Sequence, residues 1–328
     1  MSDSLTFPET LAEAVRYFAD PDKAFAFMTS LRWPDGKVCC PVCSCERTSF
    51  LKTRKVWKCS ECKKQFSAKV GTIFEDSALG YDKWFPAFWM IVNAKNGISS
   101  CELARAIGVT QKSAWHMLHR IRLALQDGSI VKMSGHVEAD ETFIGARARS
   151  MNAKQKAKRQ KVHGKGTGPV AMTAVQGLLE RSTRDAVSRV KLKVLKTTKK
   201  AEVQKNVREY VLKGSEVSTD ALKSYSGLED EFVHGVVDHA IKYVEGNVHT
   251  NGLENFWSLL KRTIKGTYVC PAPFHLFRYL DEQAFRFNER KDDDQGRFLT
   301  GIAGIIGKGL RYAKLIGDDE ETGGYLPA

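Results

Sequence analysis

Two cysteine pairs constrain this chain more than any other feature. Cys40-Pro-Val-Cys43 and Cys59-Ser-Glu-Cys62 enclose fifteen residues between Cys43 and Cys59. A Cys-x-x-Cys turn presents two thiolates on one side, and two such turns close a tetrahedron around one zinc ion. The spacing predicts one structural Zn2+ per chain, held by Cys40, Cys43, Cys59 and Cys62 in a small zinc ribbon over residues 35–70. Cys39 and Cys45 flank the first pair without continuing its spacing, and the isolated Cys101 and Cys270 are expected to be packing residues. This use of cysteine suits a reducing compartment. The N-terminal MSDSLTFPET holds two acids and no apolar core of leader length, so a cytoplasmic protein is expected. The apolar run over 85–92 contains Pro86 and is too short to cross a bilayer, so no membrane partner is expected.

Charge indicates the partner. Lys plus Arg number 51 against 38 Asp plus Glu, a formal net charge of +13, which favours a polyanion through release of its counterions. Much of that charge is local: residues 146–167 hold eight Lys or Arg and no acid, and end on a glycine-rich stretch. Lys154, Lys156, Lys158 and Arg159 in this segment are candidate DNA contacts. The strip Arg189-Val-Lys-Leu-Lys-Val alternates basic and apolar, which suits either a solvated sheet edge or a DNA-facing strand.

Ahead of the basic segment, residues 99–127 read as helix. Leu103, Ala104 and Ile107 mark an apolar stripe, Gly108 permits a turn, and Thr110 can cap a second helix. That second helix is expected to turn Trp115 and Leu118 inward and Gln111, Lys112 and His116 outward, as a helix entering a major groove would. Residues 11–31 read as one helix interrupted at Pro21, 84–96 as a helix, and 40–66 as loop.

From Gly135 the period changes to two. Strands are expected over 136–144, 169–178, 189–195 and 217–219, with a helix over 201–213 and helical stretches over 252–262 and 274–288. Strands with helices interposed and appended indicate an α/β domain. His136-Val-Glu-Ala-Asp-Glu brings Glu138, Asp140 and Glu141 together, Asp220 closes a second strand, and Glu254 shares a polar helix face with Ser258 and Lys261. Two strand acids and a helix acid can converge on two magnesium ions, the arrangement that activates an attacking oxygen and stabilises a leaving one at phosphorus. Asp220 can equally cap the residues after it, and Glu254 with Lys261 can equally form a solvated face.

In this order the motifs resemble those of zinc-ribbon DDE transposases of the bacterial insertion sequence family fifteen ninety-five. The resemblance rests on both cysteine knuckles, Gly71-Thr-Ile-Phe-Glu-Asp-Ser, Gly97-Ile-Ser-Ser-Cys-Glu-Leu-Ala-Arg, Val137-Glu-Ala-Asp-Glu-Thr-Phe-Ile-Gly, Asn251-Gly-Leu-Glu-Asn-Phe-Trp and Phe285-Arg-Phe-Asn. It implies a ribonuclease H-like catalytic core over 135–290, preceded by a helical segment over 1–34, the ribbon and a helix-turn-helix over 80–128, and followed by a tail over 291–328. It further implies Asp140, Asp220 and Glu254 as ligands of two Mg2+ or Mn2+ ions, with Lys261 on phosphate. Asn251 and Asn255 flank Glu254, which is preferred because a carboxylate suits magnesium. Glu138 and Glu141 are expected to matter less. The implied reaction is cleavage at terminal inverted repeats and joining to target double-stranded DNA by a homo-oligomer associated with the nucleoid. A DNA-binding regulator with an inert acidic set, and a nuclease or resolvase that cleaves without joining, are the competing functions.

Overall fold

Thr10 opens the first helix, α1 (Leu11–Ala19), in a reciprocal capping box with Glu13. Asp20 then ends α1 and caps α2 (Pro21–Arg32), its carboxylate accepting from the amides of Asp22 and Lys23. Pro21 therefore sits at the first helical position, where its missing N–H has no intrahelical partner to lose. One interrupted helix becomes two. The computed structural model describes residues 7–126, 131–145, 172–184, 186–220, 223–237, 249–269 and 271–317. They fall into two units, Met1–Gln126 with Asp292–Gly323, and Asp127–Lys291 with the last residues.

Residues 40–66 are not all loop. They carry an antiparallel sheet, β1 (Thr48–Leu51), β2 (Val56–Cys59) and β3 (Gln65–Phe66), in the order β1-β2-β3. Strands of two to four residues are too short for an alternating pattern to register in sequence. Trp57 fixes the inner face, stacking on Phe25 of α2 at 5.6 Å and meeting Trp33 at 5.0 Å. Three helices follow: α3 (Tyr81–Asn93), α4 (Ser100–Ile107) and α5 (Gln111–Ala124). Gly108 ends α4 at φ +68°, a left-handed position that suits glycine, and the Thr110 hydroxyl accepts from the Ser113 amide to start α5.

The second unit is a mixed five-stranded sheet. Its strands are β4 (His136–Ile144), β5 (Thr173–Glu180), β6 (Arg189–Val194), β7 (Glu216–Asp220) and β8 (Val233–Val237), in the spatial order β6-β5-β4-β7-β8. β5 runs antiparallel to β4 and β6, whereas β7 is parallel to both β4 and β8. Both faces are covered. Val137, Ala139, Leu178 and Val217 pack with Val203 and Val207 of α6 (Lys200–Tyr210). Ile144, Val175 and Leu179 pack with Leu253, Phe256 and Leu260 of α7 (Asn251–Thr263) and Leu280 of α8 (Leu276–Asn288). Adjacent residues of β4 point to opposite faces, so Glu138 and Asp140 share the α7 face while Glu141 joins Val137 and Ala139 on the α6 face.

The segment expected as a C-terminal tail belongs to the first unit. It contains α9 (Asp294–Ala303) and α10 (Tyr312–Ile316). Phe298 of α9 is fully buried, with ring centroids 5.0 Å from Trp89, 5.8 Å from Phe18 and 6.0 Å from Phe27. Its partners lie some two hundred or more residues away along the chain, which no local pattern could reveal.

Candidate functional site

The ribbon brings its four thiols together. Cys40 Sγ lies 3.6 Å from Cys62 Sγ, Cys43 Sγ lies 3.5 Å from Cys59 Sγ, and all four sulfurs are within 4.8 Å of one another. Four sulfurs at about 2.3 Å from one zinc stand about 3.8 Å apart, so the set fits the ion closely. The two knuckles repeat one backbone solution. The Cys40 amide donates to the Cys45 carbonyl at 2.9 Å and the Cys59 amide to the Lys64 carbonyl at 3.0 Å, while Ser44 and Lys63, each just after a pair, take positive φ. Burial raises the Cys59 thiol pKa, but the Cys62 amide and the neighbouring thiols outweigh it and bring the group down to about 7. Cys101, expected inside, is exposed on α4. Cys270 lies outside the described residues.

The acids occupy neighbouring elements. Parallel pairing of β4 with β7 sets Ala139 beside Thr219, so Asp140 and Asp220 stand one step further along adjacent strands. Both belong to the face that α7 covers. Trp257 of α7 donates its indole N–H to Asp140 Oδ2 at 2.8 Å, and the Glu141 amide donates to Oδ1 at 2.8 Å. The indole can approach because Gly177 faces Asp140 across the ladder, where a Cβ would come within 2.7 Å of the ring. Glu254 precedes Trp257 by three residues, on adjoining helix surface. Burial pushes the Asp140 carboxyl up from its ordinary value; Trp257 opposes this, and the charges of Asp220 and Glu254 add to it. Asp140 is thus partly dehydrated, with half-buried Asp220 and exposed Glu254 acting on it by charge, and a divalent cation would relieve that repulsion. Their oxygens do not gather as tightly as the thiols. Among the described residues only the cysteine set has all its ligand atoms within 4.8 Å. Lys261 is exposed further along the same helix.

The flanking acids are each held by specific partners. Glu138 is buried and accepts from Arg181 Nε at 2.7 Å and from the Leu253 amide at 2.9 Å. Glu141 accepts from the Tyr225 hydroxyl, while its second oxygen is buried with no hydrogen bond. Burial, assisted by Asp140 and Asp220 and opposed by Tyr225, pushes Glu141 up to about 7 from an ordinary 4.5. A raised folded pKa means that the fold holds this proton between those values after the unfolded chain has released it. The stability it contributes is complete below pH 4.5 and is lost as pH rises through 7. Glu141→Gln is therefore expected to flatten the decline of stability between pH 5 and 8 by up to about 3 kcal/mol, read from denaturant melts. An unchanged slope would place that proton elsewhere. Trp257, Arg181, His249 and Tyr225 escaped the sequence reading; a buried indole needs an acceptor, and that requirement was the available signal for Trp257.

In α5, Gln111 and Lys112 are exposed. Gln111 Nε2 donates to Ser100 Oγ at 2.8 Å, and Lys112 Nζ lies 4.5 Å from the Tyr312 ring centroid. His116, expected to face outward, is half-buried instead, with Nε2 3.1 Å from the Leu310 carbonyl. The C-terminal segment covers that part of α5, and burial pushes the imidazole below its ordinary value. Trp115 is only partly buried, whereas Leu118 is inside. Arg120 donates to the carbonyls of Leu310 at 2.9 Å and Ile73 at 2.9 Å, holding the motif that begins at Gly71. Lys154, Lys156, Lys158 and Arg159 lie outside the described residues. No helix among the described residues is long and apolar enough to cross a membrane.

Comparison with known proteins matches residues 132–288 to the ISXO2-like transposase domain and residues 19–65 to the transposase zinc-ribbon domain. The first span contains Asp140, Asp220 and Glu254, and the second contains all four zinc-site cysteines. The chain is also 27% identical over 261 residues to a Halobacterium salinarum protein described as an uncharacterized protein in transposable element ISH50. That match covers 76% of this chain and 84% of the relative.

Proposed function

We propose that this chain, which belongs to the insertion-sequence transposases through its zinc-ribbon and ISXO2-like domains, cleaves DNA at transposon ends and joins the freed 3′ ends to target DNA. The observation that carries the catalytic reading is the pairing of β4 with β7, which sets Asp140 beside Asp220 while Glu254 acts on Asp140 from the covering helix. A mixed sheet with the first acid on its central strand and the second on a parallel neighbour supports a ribonuclease H-like core. Bound at this cluster, two Mg2+ or Mn2+ ions would supply activation of the attacking oxygen and neutralisation of the leaving one.

The residues themselves divide the work. Asp140 is oriented by two N–H donors, one per oxygen, which leaves further lone pairs on each oxygen for a cation. Asp220 and Glu254 complete the anionic set. Lys261 stands seven residues beyond Glu254, roughly 10 Å along the helix axis, and meets a phosphate of the bound end. Ribbon and helix-turn-helix grip the DNA, with Gln111 and Lys112 at the exposed start of α5 as the groove-facing pair. Two ends must be held together, so the working form is a homo-oligomer.

A strand-transfer assay with end-containing DNA, target plasmid and Mg2+ tests this function, and joined products are expected. Binding without cleavage would favour a regulator, and cleavage without joining a nuclease or resolvase. The basic segment has its own test. Changing Lys154, Lys156, Lys158 and Arg159 to Ala should weaken DNA binding and lower the salt slope by about one for each side chain that meets a phosphate. An unchanged affinity and slope would make the segment a solvated surface.

A further inference from the structure

We propose that Glu138 is a positioning residue: its buried carboxylate caps the start of α7 from the neighbouring strand and so sets where Glu254 stands relative to Asp140. This rests on the reading of Asp140 and Glu254 as one cation site.

The first amides of a helix have no intrahelical acceptor and usually take one from a capping side chain just before it. In α7 the capping position is Thr250, whose side chain makes no such bond. Glu138 takes that place, with Oε2 accepting from the Leu253 amide at 2.9 Å. Its charge also faces the positive end of the helix dipole. The other oxygen accepts from Arg181 Nε at 2.7 Å, and Arg181 Nη2 donates to the His249 carbonyl at 2.7 Å and meets His249 Nδ1 at 2.8 Å. Carboxylate and guanidinium thus hold both the residue that leads into the helix and its first turn. Only 1% of Glu138 is exposed, so solvent cannot substitute for these contacts.

Gly252 fits the same account. A Cβ there would stand 2.8 Å from Glu138 Oε2 and 3.1 Å from Oε1, so the glycine of Asn251-Gly-Leu-Glu admits the strand carboxylate to the helix end. Glu254 directly follows the Leu253 amide that Glu138 holds. Glu138 and Asp140 are two residues apart on one strand face, about 7 Å along the strand. One rigid strand therefore carries both the first acid and the anchor of the third.

The test measures Mn2+ binding to the full zinc-loaded chain, following free Mn2+ by electron paramagnetic resonance. It compares wild type, Glu138→Gln, Gly252→Ala, Glu254→Gln, Asp140→Asn and the double variant Glu138→Gln with Glu254→Gln. Glu138→Gln and Gly252→Ala are each expected to weaken Mn2+ binding about tenfold or more, as loss of a group that orients a ligand does. The double variant should bind as Glu254→Gln alone does, because the anchor acts only through Glu254. A purely structural role would weaken both backgrounds by the same factor. Gly252→Ala removes no charge, so it carries the test if thermal melting shows that Glu138→Gln does not fold. Wild-type Mn2+ affinity in the folded anchor variants, or a further loss in the double variant, would overturn the proposal. Unaltered Mn2+ binding by Asp140→Asn would instead remove the cation site on which it rests.

Discussion

Asp140→Asn is expected to lower end cleavage and joining by about 10³-fold or more, some 4 kcal/mol of transition-state stabilisation, with affinity for end DNA changed by less than about twofold. The substitution keeps one oxygen to accept from Trp257 or from the Glu141 amide, and removes the charge together with the other of these two hydrogen bonds. Two effects on folding then oppose each other: the lost hydrogen bond costs stability, and the lost charge restores some. Burial and the neighbouring acids raise the Asp140 pKa in the folded chain, so at neutral pH the charged carboxylate opposes folding. Asparagine removes that opposition. The variant should stay close to wild type in stability at pH 7 and fall behind it as pH drops below the ordinary carboxylate range, where the carboxyl is neutral in both states. An active Asp140→Asn enzyme would refute the catalytic reading, and an inactive one that melts early would leave activity and folding entangled.

Removing zinc is expected to have the largest structural effect. Zinc binding to small four-ligand modules is worth roughly 10–16 kcal/mol, comparable to the whole stability of a typical domain. The ribbon has little else. Its three strands are short, and its apolar contact with α2 runs through Trp57, Phe50 and Phe25. Chelation, or Cys59→Ser, should abolish hydrogen-exchange protection over residues 38–66 and alter Trp57 fluorescence, while protection in β4 and β5 persists. Purified chain without zinc but with a protected ribbon would contradict the assignment.

The fold was partly legible because some of its signals are local. The spacing of four cysteines, the period-two run over 136–144, and Gly108 with Thr110 between α4 and α5 each need only a few neighbouring residues to act. What escaped depends on distant partners. Phe298 is buried against rings at the other end of the chain, and His116 turns toward Leu310, 194 residues away. The hydrogen-bond partners of Glu138 escaped as well, because a strand acid shows nothing of them in sequence. Those partners, Arg181 and Leu253, lie 43 and 115 residues off. The ribbon strands were invisible because runs of two to four residues hold too few alternations to separate them from loop, and β8 because Val-His-Gly-Val-Val does not alternate.

The central claim is that Asp140, Asp220 and Glu254 hold the ions that drive strand transfer. Replacing each in turn by cysteine, and measuring joining with Mg2+ and then Mn2+, tests it most directly, because Mg2+ demands oxygen ligands and accepts sulfur poorly whereas Mn2+ accepts it more readily. Each variant should be inactive with Mg2+ and recover measurable joining with Mn2+. Mg2+-supported joining at the wild-type rate by Asp220→Cys or Glu254→Cys would show that the ions are held elsewhere.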